Sequence, residues 1–218
     1  TRRSSDLLET NTYSYMKFNG YPSCYVNRNL RNSTSPEAGT LEVMHNKAVA
    51  IPPHVGVEVT ASFTDNTKRV IDAKASTTFF ADEQGLKYKI SYVLIENGIK
   101  GYKQANNYSG GSRGKMGGFE NLPGYASIDM DHVARMNYSY YGVDGSIPRS
   151  VKADETIDYA ARLEVPSNVQ NVDNLYLVAL LLNSKGEIEN AAETKVEPYT
   201  PTSITENSRS EERRVGKE

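Results

Sequence analysis

Apolar and polar residues alternate over most of the chain after residue 54, and a period of two predicts half-buried β-strands. The first run places five apolar side chains on one face: Val55, Val57, Val59, Ala61 and Phe63. Further strands are predicted at residues 69–80, 86–94, 132–141, 157–165, 175–182 and 187–196. The run 175–182 is apolar at nearly every position, which is typical of a central strand covered on both faces.

Seven strands separated by turn residues predict a mainly β protein, an antiparallel β-sandwich of the immunoglobulin-like or fibronectin type. Asn97-Gly98 follows the third strand and indicates a tight hairpin, because both residues tolerate positive φ. Residues 103–125 are rich in Gly, Ser and Asn and predict a long loop.

The first fifty residues show a different pattern. Short strands are predicted at Tyr13–Phe18 and Cys24–Asn29, and helical spacing of Leu41, Met44 and Ala48 predicts a helix over Glu37–Lys47. The Pro52-Pro53 pair marks a linker at 51–53. The resulting organisation is a partial domain at 1–50, a sandwich at 54–197 and a disordered tail at 198–218.

Charge and cysteine content exclude several function classes. A net charge of -2 gives no overall field for a polyanion, so nucleic acid is not predicted as a partner. The single cysteine, Cys24, excludes an internal disulfide framework and a multi-cysteine metal site. No apolar run reaches the roughly 18 residues of a transmembrane helix.

Both ends of the chain have unusual sequences. The chain opens on Thr1-Arg2-Arg3 without an initiator Met, so we expect that upstream residues are missing. Residues 209–218 read RSEERRVGKE, which resembles the translation of a common sequencing-adapter oligonucleotide. We expect the natural C-terminus near Ser208 or earlier.

The segment Gly20-Tyr21-Pro22-Ser23, followed by a strand from Cys24, resembles the cis-proline turn of thioredoxin-like domains. Pro22 is therefore predicted to be a structural cis-proline. The resemblance implies that residues 1–50 are the C-terminal part of a thioredoxin-like α/β domain.

A wider resemblance covers residues 13–196 in the right order. The segments that carry it are Tyr88–Leu94, Gly117–Pro123, Asp131–Arg135, Gly145–Pro148, Val178–Leu182 and Gly186–Ala191. They resemble the 28-kilodalton outer membrane protein family. This resemblance implies an exported lipoprotein of the bacterial cell envelope, outer membrane-associated or periplasmic, with a thioredoxin-like domain before a β-sandwich. Membrane attachment would then run only through an N-terminal lipid anchor.

No motif in the sequence predicts catalysis, a cofactor or a metal site. Gly110–Gly118 is rich in glycine, but Met116 stands where a phosphate-binding loop needs a hydroxyl. Asp129, Asp131 and His132 are three possible ligands, but a metal site needs more that converge, so we interpret them as a polar strand entry. No Ser-His-Asp or paired-carboxylate pattern is evident.

The Tyr-, Gly-, Ser- and Asn-rich region at 102–141 has the composition of recognition surfaces. The candidate binding residues are Tyr102, Tyr108, Arg113, Phe119 and Tyr125. The competing interpretation places tyrosines such as Tyr138 and Tyr140 half-buried on a sheet edge. The sequence favours a non-enzymatic envelope module that binds protein or glycan. The alternatives are an accessory domain of an envelope thiol-disulfide oxidoreductase and a structural spacer.

Overall fold

The computed structural model describes residues 14–17, 23–31 and 38–201. Its elements are β1 (Tyr25–Val26), β2 (Leu30–Arg31), α1 (Ala38–Val49), β3 (Val55–Phe63), β4 (Val70–Phe79), β5 (Glu83–Gln84), β6 (Lys89–Glu96), β7 (Lys103–Ala105), β8 (Tyr125–Ser127), β9 (Val133–Val143), β10 (Ser150–Val151), β11 (Thr156–Glu164), β12 (Leu175–Leu182) and β13 (Ile188–Lys195). Short 3-10 helices lie at Phe119–Asn121 and Val172–Asn174.

Among the described residues, the seven longer strands form two antiparallel sheets, which confirms the predicted β-sandwich. One sheet has the order β11-β4-β3 and the other the order β13-β12-β6-β9. Strands β3, β4 and β11 therefore face strands β6, β9, β12 and β13. This is the arrangement of an immunoglobulin-like sandwich in which the fourth long strand, β9, belongs to the second sheet. Strand β12 is central, between β13 and β6, as its apolar composition predicts.

The core lies between the inner faces of the two sheets. In β4 every second side chain is buried, from Ile71 to Phe79, in the predicted phase. These side chains pack against fully buried residues of the opposite sheet: Ile90, Tyr92, Leu94, Leu175, Leu177, Ala179 and Leu181. Burial of one such leucine or isoleucine contributes about 1.5–3 kcal/mol to stability.

One seam between the sheets is closed by backbone hydrogen bonds. After β13 the chain runs beside β3, where the Phe63 amide donates to the Glu197 carbonyl (3.0 Å) and the Glu197 amide donates to the Ala61 carbonyl (2.9 Å). The Asn190 side chain adds a bond from Nδ2 to the Val55 carbonyl at 2.8 Å. Strand β3, which pairs with β4 on one edge, is therefore also bonded on its other edge at Val55, Ala61 and Phe63.

Several predicted elements differ from the structure. Of the strand predicted at Cys24–Asn29 only Tyr25–Val26 is a strand, and residues 27–29 form a turn. The third strand begins at Lys89 and not at residue 86, because β5 pairs with β10 and the Leu86 amide donates to the Arg149 carbonyl. Asn97-Gly98 is not a tight hairpin, since the Asn97 amide donates to Asn174 and the chain continues outward. Residues 14–16 are helical where a strand was predicted.

Strand β9 carries a large bulge at the edge of its sheet. Ile90 pairs with Val143 but Tyr92 pairs with Tyr138, so four residues of β9 oppose Ser91. Gly142 has φ 79°, and a Cβ there would overlap the Lys89 Cβ, so only glycine fits at this position. The bulge carries Tyr140, which is buried, and Tyr141, which is exposed.

The N-terminal segment packs against this bulge and the β12–β13 turn. The Arg28 guanidinium lies 4.2 Å above the Tyr140 ring centroid and donates to the Tyr140 carbonyl at 2.9 Å. The Tyr15 hydroxyl donates to the Lys185 carbonyl (2.6 Å), and the Ile188 amide donates to the Asn27 carbonyl (3.0 Å). Burial lowers the pKa of Arg28 below its usual range.

The helix predicted at residues 37–47 is α1, and it turns Met44 and the flanking Leu41 and Ala48 inward, as their spacing predicts. Pro22 and residues 209–218 lie outside the described residues. Within the described ranges, no helix has the length and apolarity that crossing a bilayer requires.

Candidate binding site on the β6–β9 arm

The connection between β6 and β9 is an antiparallel ribbon that extends from the sandwich. We call residues 99–130 the arm. Its backbone is paired at Ile99 and Met130, which exchange hydrogen bonds of 3.0 Å, then between β7 and β8, and finally where the Asn106 amide donates to the Gly124 carbonyl (2.8 Å). The arm carries all five predicted binding residues, in a segment that was predicted as a long loop.

A buried ion pair holds the base of the arm. Arg135 Nε donates to Glu96 Oε2 at 2.6 Å, and the two residues are 8% and 1% exposed. The other carboxylate oxygen, Oε1, accepts the amides of Gln170 (2.8 Å) and Asn171 (2.6 Å). One carboxylate therefore joins the last residue of β6, the start of β9 and the loop before β12, and it accepts two backbone amides of that loop.

Polar side chains next to this ion pair fix the first residues of the arm. Asn97 Oδ1 accepts the His132 amide (2.6 Å), and Asp131 accepts the Gly98 amide (2.7 Å). The Gln170 amide group bonds the backbone of Lys100 twice, each bond at 3.0 Å. These contacts give the arm a defined direction from the sandwich.

The stretch 129–132, which offers three possible metal ligands, contributes to this base. The Asp131 carboxylate accepts a backbone amide, and Asp129 forms an ion pair with Lys100 at 3.5 Å. Across the part of the chain that the structure describes, no three His, Cys, Asp or Glu side chains are grouped to hold a metal ion.

The tip of the arm is ordered by two side chains. Asn106 Nδ2 donates to the Phe119 carbonyl at 2.7 Å and more weakly to the carbonyls of Leu122 and Pro123. The Glu120 carboxylate accepts the amides of Met116 (2.9 Å) and Gly118 (3.0 Å), and these bonds hold its pKa below the usual range. Gly118 has φ 93°, which a side chain would strain.

The arm exposes its aromatic side chains along its length and does not gather them into a pocket. Tyr125 is 73% exposed, Tyr102 52%, Phe119 40% and Tyr108 38%. At the tip, the Arg113 guanidinium lies 6.0 Å from the Tyr108 ring centroid. Tyr125 lies on the ribbon, directly across from Ala105. Tyr108, Arg113 and Phe119 therefore lie at the tip of the arm, whereas Tyr125 lies on the ribbon formed by β7 and β8.

An open depression of about 610 Å³ lies elsewhere, on the outer face of the three-stranded sheet. Small and polar residues such as Thr60, Ser62 and Ala160 line it. Arg162 bonds Asp72 at 2.9 Å and Lys74 bonds Asp158 at 3.2 Å across the strands. Charges that neutralise each other in this way are typical of a solvated sheet face.

The residues that hold the arm were not identified from the sequence. One signal was available, because Glu96 ends an apolar strand and Arg135 lies in another, and charged residues in such runs are usually paired when buried. Nothing local indicates the roles of Asn106 and Glu120, since each acts on backbone atoms of the folded tip.

Comparison with known proteins assigns the family. The family model described as "Outer membrane protein Omp28" matches residues 9–200. A search of curated proteins found no match. Membership of an outer membrane protein family confirms the predicted location in the bacterial cell envelope, outer membrane-associated or periplasmic.

Two solved structures from Porphyromonas gingivalis are similar to this chain. HBP35 is 13% identical with a TM-score of 0.62, and the match covers 91% of this chain and 60% of that chain. A domain of the outer membrane lipoprotein Omp28 is 13% identical with a TM-score of 0.35, covering 69% of this chain and 94% of that chain. The present chain thus spans about three fifths of HBP35, and the likeness to HBP35 concerns the fold. On the family match, the chain belongs to the Omp28 outer membrane protein family.

Proposed function

We propose that this protein is a non-enzymatic binding module of the cell envelope, and that the arm is its contact surface for a protein or glycan partner. The observation that carries the proposal is the exposure of four aromatic side chains on an arm that is hydrogen-bonded at both its base and its tip. Aromatic rings and Arg dominate the energetics of known binding surfaces.

The ordering of the arm supports this role. A flexible loop loses conformational entropy when it binds, whereas a segment already held in place loses little. The base of the arm is fixed by Glu96 and Gln170, and its tip by Asn106 and Glu120. The rings of Tyr108 and Phe119 are therefore presented to solvent from a backbone whose bonds are already satisfied.

The test is retention of the full chain on immobilised outer-membrane vesicles and on surfaces coated with extracellular-matrix proteins. A tip variant combines Tyr108→Ala, Arg113→Ala and Phe119→Ala. We expect it to lose at least about tenfold in affinity, because three anchors of this type are removed. A matched control, Phe80→Ala with Tyr199→Ala, removes exposed rings outside the arm and should bind like the original protein.

Treatment of the vesicles identifies the partner class. Protease treatment removes protein partners, and periodate oxidation destroys glycans that carry vicinal diols. If the tip variant binds as well as the original protein on every surface, the assignment of the contact to the tip of the arm is wrong.

A further inference from the structure

One face of the β7–β8 ribbon is entirely exposed. Lys103 pairs with Ser127 and Ala105 pairs with Tyr125, and paired residues of an antiparallel ribbon share a face. All four side chains are exposed, whereas Ala126, on the other face, is buried. The ribbon therefore packs through Ala126 and presents the face of Lys103, Ala105, Tyr125 and Ser127 to solvent, which we call the ribbon face.

The Tyr125 ring is open on this face. It is 73% exposed, and its cross-strand neighbour Ala105 has only a methyl group, which cannot cover an aromatic ring. Among the described residues, no other ring stacks on Tyr125 and no group bonds its hydroxyl. An aromatic surface of this kind is available to the C–H groups of a ligand.

The arm is basic, although the protein is not. Its four basic residues are Lys100, Lys103, Arg113 and Lys115, and its two acidic residues are Glu120 and Asp129, so that its net charge is +2. The whole chain carries -2, which leaves -4 on the remainder. Both acidic groups are engaged, Asp129 with Lys100 and Glu120 with backbone amides. Within the described residues Lys103 has no carboxylate partner.

We propose that the ribbon face binds an acidic sugar unit of a glycan chain. The Tyr125 ring stacks on the C–H face of the sugar, the Lys103 ammonium pairs with its carboxylate, sulfate or phosphate, and the Ser127 hydroxyl bonds a ring hydroxyl. This inference rests on the proposed function and names the ligand class for one part of the arm.

The size of the ribbon face favours a sugar over a protein. Strands of three residues are about 10 Å long and lie about 4.8 Å apart, which matches one or two pyranose rings. A specific protein interface needs about 800 Å² on each partner, which this face does not provide. An anionic lipid surface shares the charge requirement and is therefore a competing outcome of the test.

The test is a glycan array on which each uronic-acid, sialylated, sulfated or phosphorylated glycan is printed beside its neutral counterpart. The full chain should bind acidic members above their neutral counterparts, and the signal should fall several-fold between about 50 and about 300 mM NaCl. Tyr125→Ala and Lys103→Gln should each reduce affinity about tenfold, while Tyr125→Phe, which keeps the ring, should stay within about twofold. Tyr199→Ala and Lys195→Gln are matched controls outside the arm.

Three results overturn the inference. The first is that no acidic glycan gives a stronger binding signal than its neutral counterpart, and the second is that Tyr125→Ala keeps its affinity. The third is that the protein is retained on phosphatidylglycerol vesicles but binds no glycan. The proposed function can survive these results. If the tip variant loses vesicle binding while Tyr125→Ala keeps it, the arm is a binding surface but the ribbon face is not its sugar site. If neither variant loses binding, both proposals fail.

Discussion

The hydroxyl group of Tyr92 crosses the core and accepts a hydrogen bond of 2.8 Å from the amide of Ala75 in the opposite sheet. It also donates to the Tyr159 carbonyl at 2.6 Å. Ala75 of β4 and Tyr159 of β11 lie opposite each other in the sheet. The Tyr92 hydroxyl therefore bridges the amide of one strand and the carbonyl of its neighbour. Burial raises the pKa of Tyr92, so the neutral phenol is present throughout the neutral range.

Replacement of Tyr92 by Phe should destabilise the sandwich by about 1–3 kcal/mol, because the Ala75 amide and the Tyr159 carbonyl lose their buried partner. Equilibrium unfolding in urea measures the change. Tyr88→Phe is the matched control, since its hydroxyl bonds the exposed His54 at 2.9 Å. Equal losses in the two variants would contradict the role given to the buried phenol.

Replacement of Glu96 by Gln should destabilise the protein by about 3–5 kcal/mol, because the buried Arg135 loses the carboxylate that compensates its charge. Hydrogen exchange at the amides of Gly98 and Lys100 should accelerate, since both lie at the base of the arm. The control Asp158→Asn breaks the exposed pair with Lys74 and should cost less than about 1 kcal/mol. Slow exchange at the base in Glu96→Gln would show that other contacts fix the arm.

Acid should loosen the tip of the arm. The amide of Met116, followed by those of Glu120 and Gly118, lowers the pKa of Glu120, so the carboxylate stabilises the folded tip. This stabilisation is complete above the usual Glu pKa of about 4.3 and is lost as pH falls through the lowered value. Exchange at the amides of Met116 and Gly118 should lose protection below about pH 4.

The variant Glu120→Gln provides the comparison for the acid effect. It should show weaker protection at neutral pH and no further loss on acidification. A loss of protection in acid that is equally large in Glu120→Gln would rule out this carboxylate as the cause.

Replacement of Arg28 by Lys should weaken the contact between the N-terminal segment and the sandwich. Lys keeps the charge but lacks the planar group that lies over Tyr140 while donating to its carbonyl. The Ile188 amide, bonded to the Asn27 carbonyl, should exchange several-fold faster. Arg31→Lys, on the same hairpin but exposed, should leave this exchange unchanged.

Local patterns predicted the strands whose inner faces form the core. The alternation in β3 and β4 and the continuous apolar run of β12 determine strand type and phase, since a shift by one residue would turn the core face to solvent. The exposure of the candidate aromatic residues could also be predicted, because composition marks the arm as a surface segment. Their role in binding stays a prediction.

Pairing between distant segments could not be predicted in this way. The hairpin expected at Asn97-Gly98 is replaced by a bond to Asn174, a residue far along the chain. Glu96 and Arg135 form one ion pair although 39 positions separate them. The order of the arm depends on such contacts, and composition alone indicates a loop.

The bonds between Glu197 and β3 affect the tendency of the protein to self-associate at high concentration. An unpaired strand edge is a template on which another chain can add and start aggregation. In this molecule, the chain's own C-terminal segment occupies that template at Ala61 and Phe63. Shortening the chain before Glu197 would therefore expose a backbone edge, and we infer that self-association would follow even if the core stayed intact.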